Sequence, residues 1–475
     1  MNFFFSRYRP RYVRSLVYMM QASEYRVLDF LKWFWRVEDF SHVEGRKTLV
    51  ETRKSTLLLV AGYFLFFFLC VSSISILFNG VVGPRFFSFF ILVLSIPYLV
   101  AYGMTLILFV FNLLQRPVEY VIMRKAKQTL ANHKGMKIAI AGSFGKTSMR
   151  EILKTVLAAG KRVAAPPRSY NTPLGISTFV KKLKGDEEVL IFELGEYYPG
   201  DIKRISELVQ PDRGVITGVN EAHLEKFKDL ERTRRTIFEL SDYLGGKPLY
   251  INGENDLART HARAGHILYG RAGAGGVQIE EPITGLSGTS FVLHAGSRAM
   301  HVRSRLLGLH HIGPLAVAAD IAFGLGLSAE QVEKGIANTK PFEHRLEPIT
   351  DAQGVTTLDD SYNGNPDGVR ALILFLSSLR GIRRWYVTPG LVEMGARREE
   401  VHREIGRQLA RAGIEKVVLI RNSVTPFIAR GLEEAHYSGE VMWFERALDA
   451  FAALPNLTVK GDVVLLQNDW PDQYV

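Results

Sequence analysis

Two apolar stretches dominate the first quarter of the chain. Residues 55–84 and 86–115 carry no charged side chain, so two 30-residue runs sit on either side of Arg85. A helix needs about 20 apolar residues to cross a bilayer, and each run exceeds that. The pattern predicts a transmembrane helical hairpin over 55–116, turned by the Gly- and Pro-containing segment NGVVGPR (79–85). Pro97 falls inside the second helix, where neighbouring helices tolerate it. A cleavable signal peptide is not expected, because the first run starts near residue 55 and is too long. Behind the hairpin the pattern changes to short apolar strands separated by amphipathic helical stretches. MKIAIA (136–141), EVLIFELG (188–195) and RGVITGVN (213–220) read as buried strands, and so do GVTTLDD, RRWYVTPG, KVVLI and DVVLLQ further on. Helical patterns such as REEVHREIGRQLARAG lie between them, which makes the class α/β.

Composition sets the bounds. The chain has 475 residues, enough for two or three domains, and its 47% apolar and 23% charged content excludes a wholly disordered or fibrous chain. Cys70 is the single cysteine, so an intramolecular disulfide and a thiolate zinc cage are both excluded. The net charge of +11 would suggest nucleic acid, but its distribution argues otherwise. Residues 1–54 carry 11 Lys/Arg against 6 Asp/Glu, and residues 116–137 carry 6 against 1. The other 338 residues outside the hairpin hold 41 of each sign. Basic flanks around an apolar hairpin place both ends in the cytoplasm. The expectation is a multi-pass protein of the inner (cytoplasmic) membrane with its catalytic domains in the cytoplasm, in contact with membrane lipids and not with nucleic acid. Residues 1–54 form a basic, aromatic juxtamembrane segment (FFFSRYRPRYVRSLVYMM, FLKWFWRVEDF). It suits an amphipathic element on anionic lipid, the alternative being a tail packed on the soluble domain.

The candidate chemistry begins where the strand Met136–Ala141 runs into Gly142-Ser-Phe-Gly145-Lys146-Thr147 and then a helical pattern. Strand, glycine turn and helix together aim backbone N–H groups and a helix N-terminus at phosphate. Lys146 would reach the β/γ-phosphates of ATP and the Thr147 hydroxyl would ligate Mg²⁺. The longer form of this motif has glycine where the chain has Ile140, so only the G-x-x-G-K-T form is present. Glu193 ends one strand and His223 follows another. In an open parallel sheet both would converge on the phosphate loop, with Glu193 as a hard oxygen ligand for Mg²⁺.

Five stretches then carry a family resemblance: AGSFGKTS (141–148), SYNTPLGIS (169–177), FELG (192–195), NEAHLEKF (220–227) and LDDSYNGNPDGV (358–369). Together they resemble the Mur ligases, the ATP-dependent carboxylate–amine ligases of peptidoglycan synthesis. The last stretch, with VEMGARREEVHREIG (392–406), is most similar to the members that add D-alanyl-D-alanine. The resemblance covers residues 135–475. It implies a central P-loop ATPase domain (135–343) and a C-terminal Rossmann-like domain (344–475). Gly142, Ser143, Gly145, Lys146, Thr147, Ser148 and Asn220 would hold the nucleotide, and Thr147, Glu193 and His223 the metal. Arg345, in FEHRLEPI, would contact the phosphates after domain closure. Asp360, Tyr362 and Asn363 follow a predicted strand and would reach ATP from the second domain, although Asn-Gly-Asn-Pro is also a turn signal in its own right. The implied catalytic set is Lys146, Glu193, His223 and Arg345.

The chain departs from the family pattern in three places. The basic tail and hairpin stand where the family has a domain that grips a UDP-linked sugar, so a lipid-linked or other membrane-borne amino-acid or peptide substrate is expected. The lysine that the family carbamoylates to help hold a second metal ion falls at Ile237, with Glu239 kept; Glu239 or water fills the gap, or that metal is lost. In GLHHIGPLAVAA (308–319), His311 and Pro314 stand where asparagines are usual, one of which touches the base. The adjacent histidines lack carboxylate or thiolate partners in sequence and are not read as a metal site. Two other functions stay open: a ligase that joins glutamates into a capsular polymer, and an ATP-binding membrane scaffold that ligates nothing.

Overall fold

The computed structural model describes residues 6–40, 43, 48–79, 84–167, 170–196, 198–220, 229–342, 344–361, 364–391 and 394–467. The chain divides into two compact units, residues 1–121 and 122–470.

The first unit is helical. α1 (Tyr12–Ala22) and α2 (Val27–Arg36) precede α3 (Arg53–Asn79) and α4 (Pro84–Asn132). α3 and α4 are long and apolar enough to cross a membrane. Phe64, Phe67 and Phe87 are exposed on their outer faces, while Leu58, Val100 and Met104 share one apolar cluster with Leu16 and Met19 of α1. Gly62 lets α1 come close to α3, since a Cβ there would run into Val13 and Met104. The Tyr12 hydroxyl donates to the Pro97 carbonyl at 2.9 Å and the Tyr8 hydroxyl to the Leu94 carbonyl at 3.1 Å. These bonds fall where the proline, lacking an N–H, interrupts the helical ladder. Within this unit α1 is therefore packed against α3 and α4.

The second helix outlasts the apolar run. α4 continues through Pro117 to Asn132 as one element of 49 residues, about 74 Å of helix at 1.5 Å per residue. The basic residues after Gln115 read as a flank in the sequence, yet Lys and Arg are good helix formers and do not stop a helix.

The second unit holds two sheets. The first is built on β1 (Met136–Ala141), which pairs in parallel with β3 (Val189–Glu193) on one side and β4 (Arg213–Ile216) on the other. β2 (Val163–Ala164) lies beyond β3; β5 (Leu249–Asn252) and β6 (Ile267–Gly270) continue the parallel order beyond β4. β7 (Gly273–Ala274), β8 (Val277–Gly285), β9 (Gly288–Ala295) and β10 (Arg298–Ser304) extend the edge as an antiparallel meander. β3 is buried at every position, as expected of a parallel strand covered on both faces. α5 (Lys146–Leu157) covers one face, packing Met149, Ile152 and Val156 with Leu315 and Ala318 of α8 (Ile312–Gly324). α6 (Asp201–Val209) and α7 (Leu230–Leu244) cover the other with Ile205, Ile237 and Leu240, joined by Ala126 and Leu130 from the end of α4.

The second sheet runs β11 (Glu347–Thr350), β12 (Thr356–Asp360), β16 (Val463–Gln467), β13 (Arg384–Thr388), β14 (Lys416–Ile420), β15 (Glu440–Phe444), parallel except for β11. α9 (Pro366–Ser378) and α10 (Arg398–Arg411) pack Leu376 and Leu409 into a core with Leu358, Tyr386 and Leu465. This is the α/β class, preceded in sequence by apolar helices, that the hydropathy pattern predicts, and its two sheets match the two domains the family resemblance implies.

Candidate active site

The order of the first sheet reverses at β1, whose neighbours β3 and β4 both come later in the chain. Ligands in open α/β sheets bind at the carboxyl ends of strands beside such a reversal. The loop after β1 lies there. Gly142 and Gly145 take φ of +142° and +72°, which L side chains rarely adopt, and a Cβ on Gly142 would meet Thr217 and Gly218. Thr217, just after β4, donates through its hydroxyl to the Phe144 carbonyl and to the Ala141 carbonyl, 3.2 Å away. The Ser143 N–H donates to the Gly218 carbonyl at 2.9 Å. The loop is thereby tied to the end of β4, and α5 starts directly from it.

Two charged pairs line the start of α5. The Thr147 hydroxyl lies 3.1 Å from each oxygen of Glu193, which Arg150 Nη1 also reaches at 3.4 Å. Lys146 Nζ donates to the Gly142 carbonyl and sits 2.7 Å from Glu196 Oε1. Thr147 and Glu193 offer adjacent hard oxygens, the donor set Mg²⁺ prefers, and the glycine cradle fits a phosphate. Among the described residues no group of three or more His, Cys, Asp or Glu side chains is gathered around a metal-sized space.

A cavity of about 510 Å³ opens beside the loop. Phe144, Gly145 and Ser148 form one wall, and Arg345, Asp360, Asn365 and Asp367 bring the second sheet's domain to it. His344 and Leu346, either side of Arg345, hold φ of 59° and 49°, a left-handed conformation that non-glycine residues enter at a cost. The backbone is thus strained where the chain passes from one sheet to the other. Asp360 accepts from the Leu346 N–H at 3.2 Å. Burial pushes its carboxyl up to about 6, against the opposing pull of Arg345 and that N–H. The rings of His310 and His311 lie with centroids 4.0 Å apart and planes tilted by 42°. Loss of water contact holds His310 down at about 4, with Arg271 adding to the effect. His311 is lowered further by burial, then by His310 and Arg345. Burial thus favours the neutral form of both imidazoles.

The structure brings together Gly142, Ser143, Gly145, Lys146, Thr147, Ser148, Glu193 and Asn220 around the loop, with Arg345 and Asp360 on the cavity wall. His223, Tyr362 and Asn363 lie outside the described residues. Ile237 is fully buried in the core on the α6–α7 face. Glu239 accepts from the N–H groups of Gly200 (2.8 Å) and Lys203 (2.9 Å), capping α6. Both carboxylate oxygens of Glu239 are thereby engaged with backbone N–H groups. Sequence reasoning passed over Glu196, Asn365 and Asp367. The first directly follows the FELG stretch, and the others lie in LDDSYNGNPDGV, where the resemblance singled out Asp360, Tyr362 and Asn363.

Comparison with known proteins gives a consistent picture. The Mur ligase middle domain matches residues 140–322, and the Mur ligase glutamate ligase domain matches residues 344–467. The UDP-N-acetylmuramoyl-tripeptide–D-alanyl-D-alanine ligase of Mycobacterium tuberculosis (strain CDC 1551 / Oshkosh) is 32% identical over 358 residues, covering 70% of this chain and 69% of that protein. The enzyme of the same name from Bacillus subtilis (strain 168) is 25% identical over 342 residues, 70% of this chain and 72% of its own. Among solved structures, MurF from Acinetobacter baumannii superposes with a TM-score of 0.65 at 23% identity, over 74% of this chain and 77% of that one. The MurF ligase of Thermotoga maritima in complex with ADP gives 0.66 at 23% identity, over 75% and 81%.

Proposed function

The chain belongs to the Mur ligase family of ATP-dependent amide ligases, and we propose that it is a membrane-anchored member that joins a carboxylate to an amine in cell-envelope synthesis. The observation that carries this reading is the phosphate loop with Lys146, and Thr147 beside Glu193, next to a cavity whose far wall holds Arg345 and Asp360. The nucleotide triphosphate would lie along the loop, its phosphates on the N–H groups at the start of α5 and on Lys146. Thr147 and Glu193 would hold Mg²⁺, which neutralises charge on the phosphoryl group when bound. A carboxylate oxygen of the substrate attacks the γ-phosphorus and ADP leaves, giving an acyl phosphate. The amine nitrogen then attacks the acyl carbon, phosphate departs from the tetrahedral intermediate, and the nitrogen loses its proton. The protein's part is orientation and charge neutralisation by Lys146 and Arg345.

The relatives' names point to a peptidoglycan peptide as carboxylate and D-alanyl-D-alanine as amine. Two helices of spanning length favour a membrane-borne acceptor. The full-length protein in detergent, given ATP, Mg²⁺ and pairs of UDP-linked or lipid-linked peptide with D-alanyl-D-alanine, should release phosphate only when both partners are present. Glutamate as the sole productive substrate would point instead to polymer synthesis. No substrate-dependent release, with ATP still bound, would favour the scaffold, for which Ile237 buried in the core is the supporting feature.

A further inference from the structure

Glu196 has no assigned part in the chemistry above, yet it is the most enclosed carboxylate at the phosphate loop. It is 3% exposed, and its Oε1 lies 2.7 Å from Lys146 Nζ, whose side chain is itself only 12% exposed. The same ammonium donates back to the Gly142 carbonyl, so it is folded against its own loop. Beside it stands the second pair, Arg150 with Glu193. Buried charges persist when each has an opposite charge at contact distance, and removing one member leaves the other stranded at a large cost.

That pairing conflicts with nucleotide binding. To reach a β- or γ-phosphate, Lys146 has to leave Glu196. The abandoned carboxylate would then stand, enclosed, next to a polyanion, and like charges at short range in a poorly solvated site repel strongly. A divalent cation brought in with the nucleotide offsets this. Resting on the reading of the loop as an ATP site, we propose that Glu196 is a positioning residue that holds Lys146 off the phosphate site and makes ATP binding conditional on the divalent cation. The two ligands are then coupled, and by linkage ATP strengthens cation binding by the same factor as the cation strengthens ATP binding.

The test is an equilibrium titration of the full-length detergent-solubilised protein with ATP, once with Mg²⁺ and once with EDTA. In the wild type the cation should tighten ATP binding about 100-fold. In Glu196→Gln the metal-free affinity should rise about tenfold or more while the affinity with Mg²⁺ moves less than about threefold, so that the ratio collapses. A residue that merely props up the fold would weaken binding in both conditions and leave the ratio alone. Glu196→Asp, which keeps the charge but withdraws it by one methylene, serves if the Gln variant unfolds, and should lower the ratio in the same direction by a smaller factor. An unchanged ratio in the folded variant overturns the proposal while leaving the ATP site intact. Absence of nucleotide binding by the wild type in either condition overturns both.

Discussion

Asn220 Nδ2 donates to Asn365 Oδ1 at 3.0 Å and to Asp367 Oδ2 at 3.2 Å, joining the end of β4 to the first turn of α9 across 145 residues of chain. Asn220 is 1% exposed, and its own N–H donates to Ser143 Oγ at 3.3 Å. Asn365 in turn caps α9 through the Gly368 N–H. One residue therefore touches the phosphate loop through its backbone N–H and the second sheet's domain through its side-chain amide. Asn220→Ala should raise the KM for ATP by about tenfold or more through misplacement of Arg345 and Asp360. It should also cost about 1–2 kcal/mol of stability from the lost buried hydrogen bonds, read by denaturant unfolding.

Thr147 and Glu193 form the other contact on which the chemistry depends. Thr147→Ser keeps the hydroxyl and should retain ligase activity within a fewfold. Thr147→Val removes the oxygen but keeps the shape, and should lower kcat by about 100-fold or more with the fold intact. Equal activity of the two variants would dismiss the hydroxyl as a metal ligand.

His310 supplies a pH test with a definite sign. Its folded pKa near 4 lies below the unfolded value, so between the two the unfolded chain binds a proton that the folded one does not. Stability contributed at neutral pH is lost as pH falls through about 6.5 towards 4, on the order of 3 kcal/mol. Asp360, raised to about 6, acts in the opposite direction, its ionisation removing stability as pH rises from about 4 to 6. His310→Gln should flatten the acid limb of a Tm-against-pH curve. Asp360→Asn should raise Tm near neutrality and not below about pH 4.

Restoring the family's lysine at position 237 should fail. Ile237 is fully buried among apolar side chains of the α6–α7 face. Ile237→Lys would strand a charge there and should destabilise by about 3 kcal/mol or more. A gain in turnover without loss of Tm would mean that α7 can present this position to the site.

The hairpin makes a labelling prediction. Cys70, the single cysteine, lies within α3. In sealed membranes a charged, water-soluble maleimide should leave it unmodified, and after SDS denaturation it should react fully. Rapid labelling of the native protein would place that helix in water.

Much of this protein is set by local rules that the sequence states directly. The two uncharged runs, the alternation of short strands with amphipathic helices, and the G-x-x-G-K-T turn between strand and helix each depend on neighbours in sequence, so hydropathy and backbone chemistry reveal them. Glu193 was readable for the same reason, because it ends a buried strand. What the tertiary structure decided depends on residues far apart in the chain. Ile237 was a gap in a motif until the packing of α7 turned it into the core. Glu239, three-dimensionally beside Gly200 and Lys203, became a helix cap. The continuation of α4 past Gln115 could not be read from charge, since helix propensity and basic flanks use the same residues. Glu196 and Asn365 became part of the site when strand order placed their carboxylate and amide against Lys146 and Asn220. Sequence spacing carries information about the nearest turn, whereas a contact such as that between Asn220 and Asn365 is set by how two sheets close on one loop.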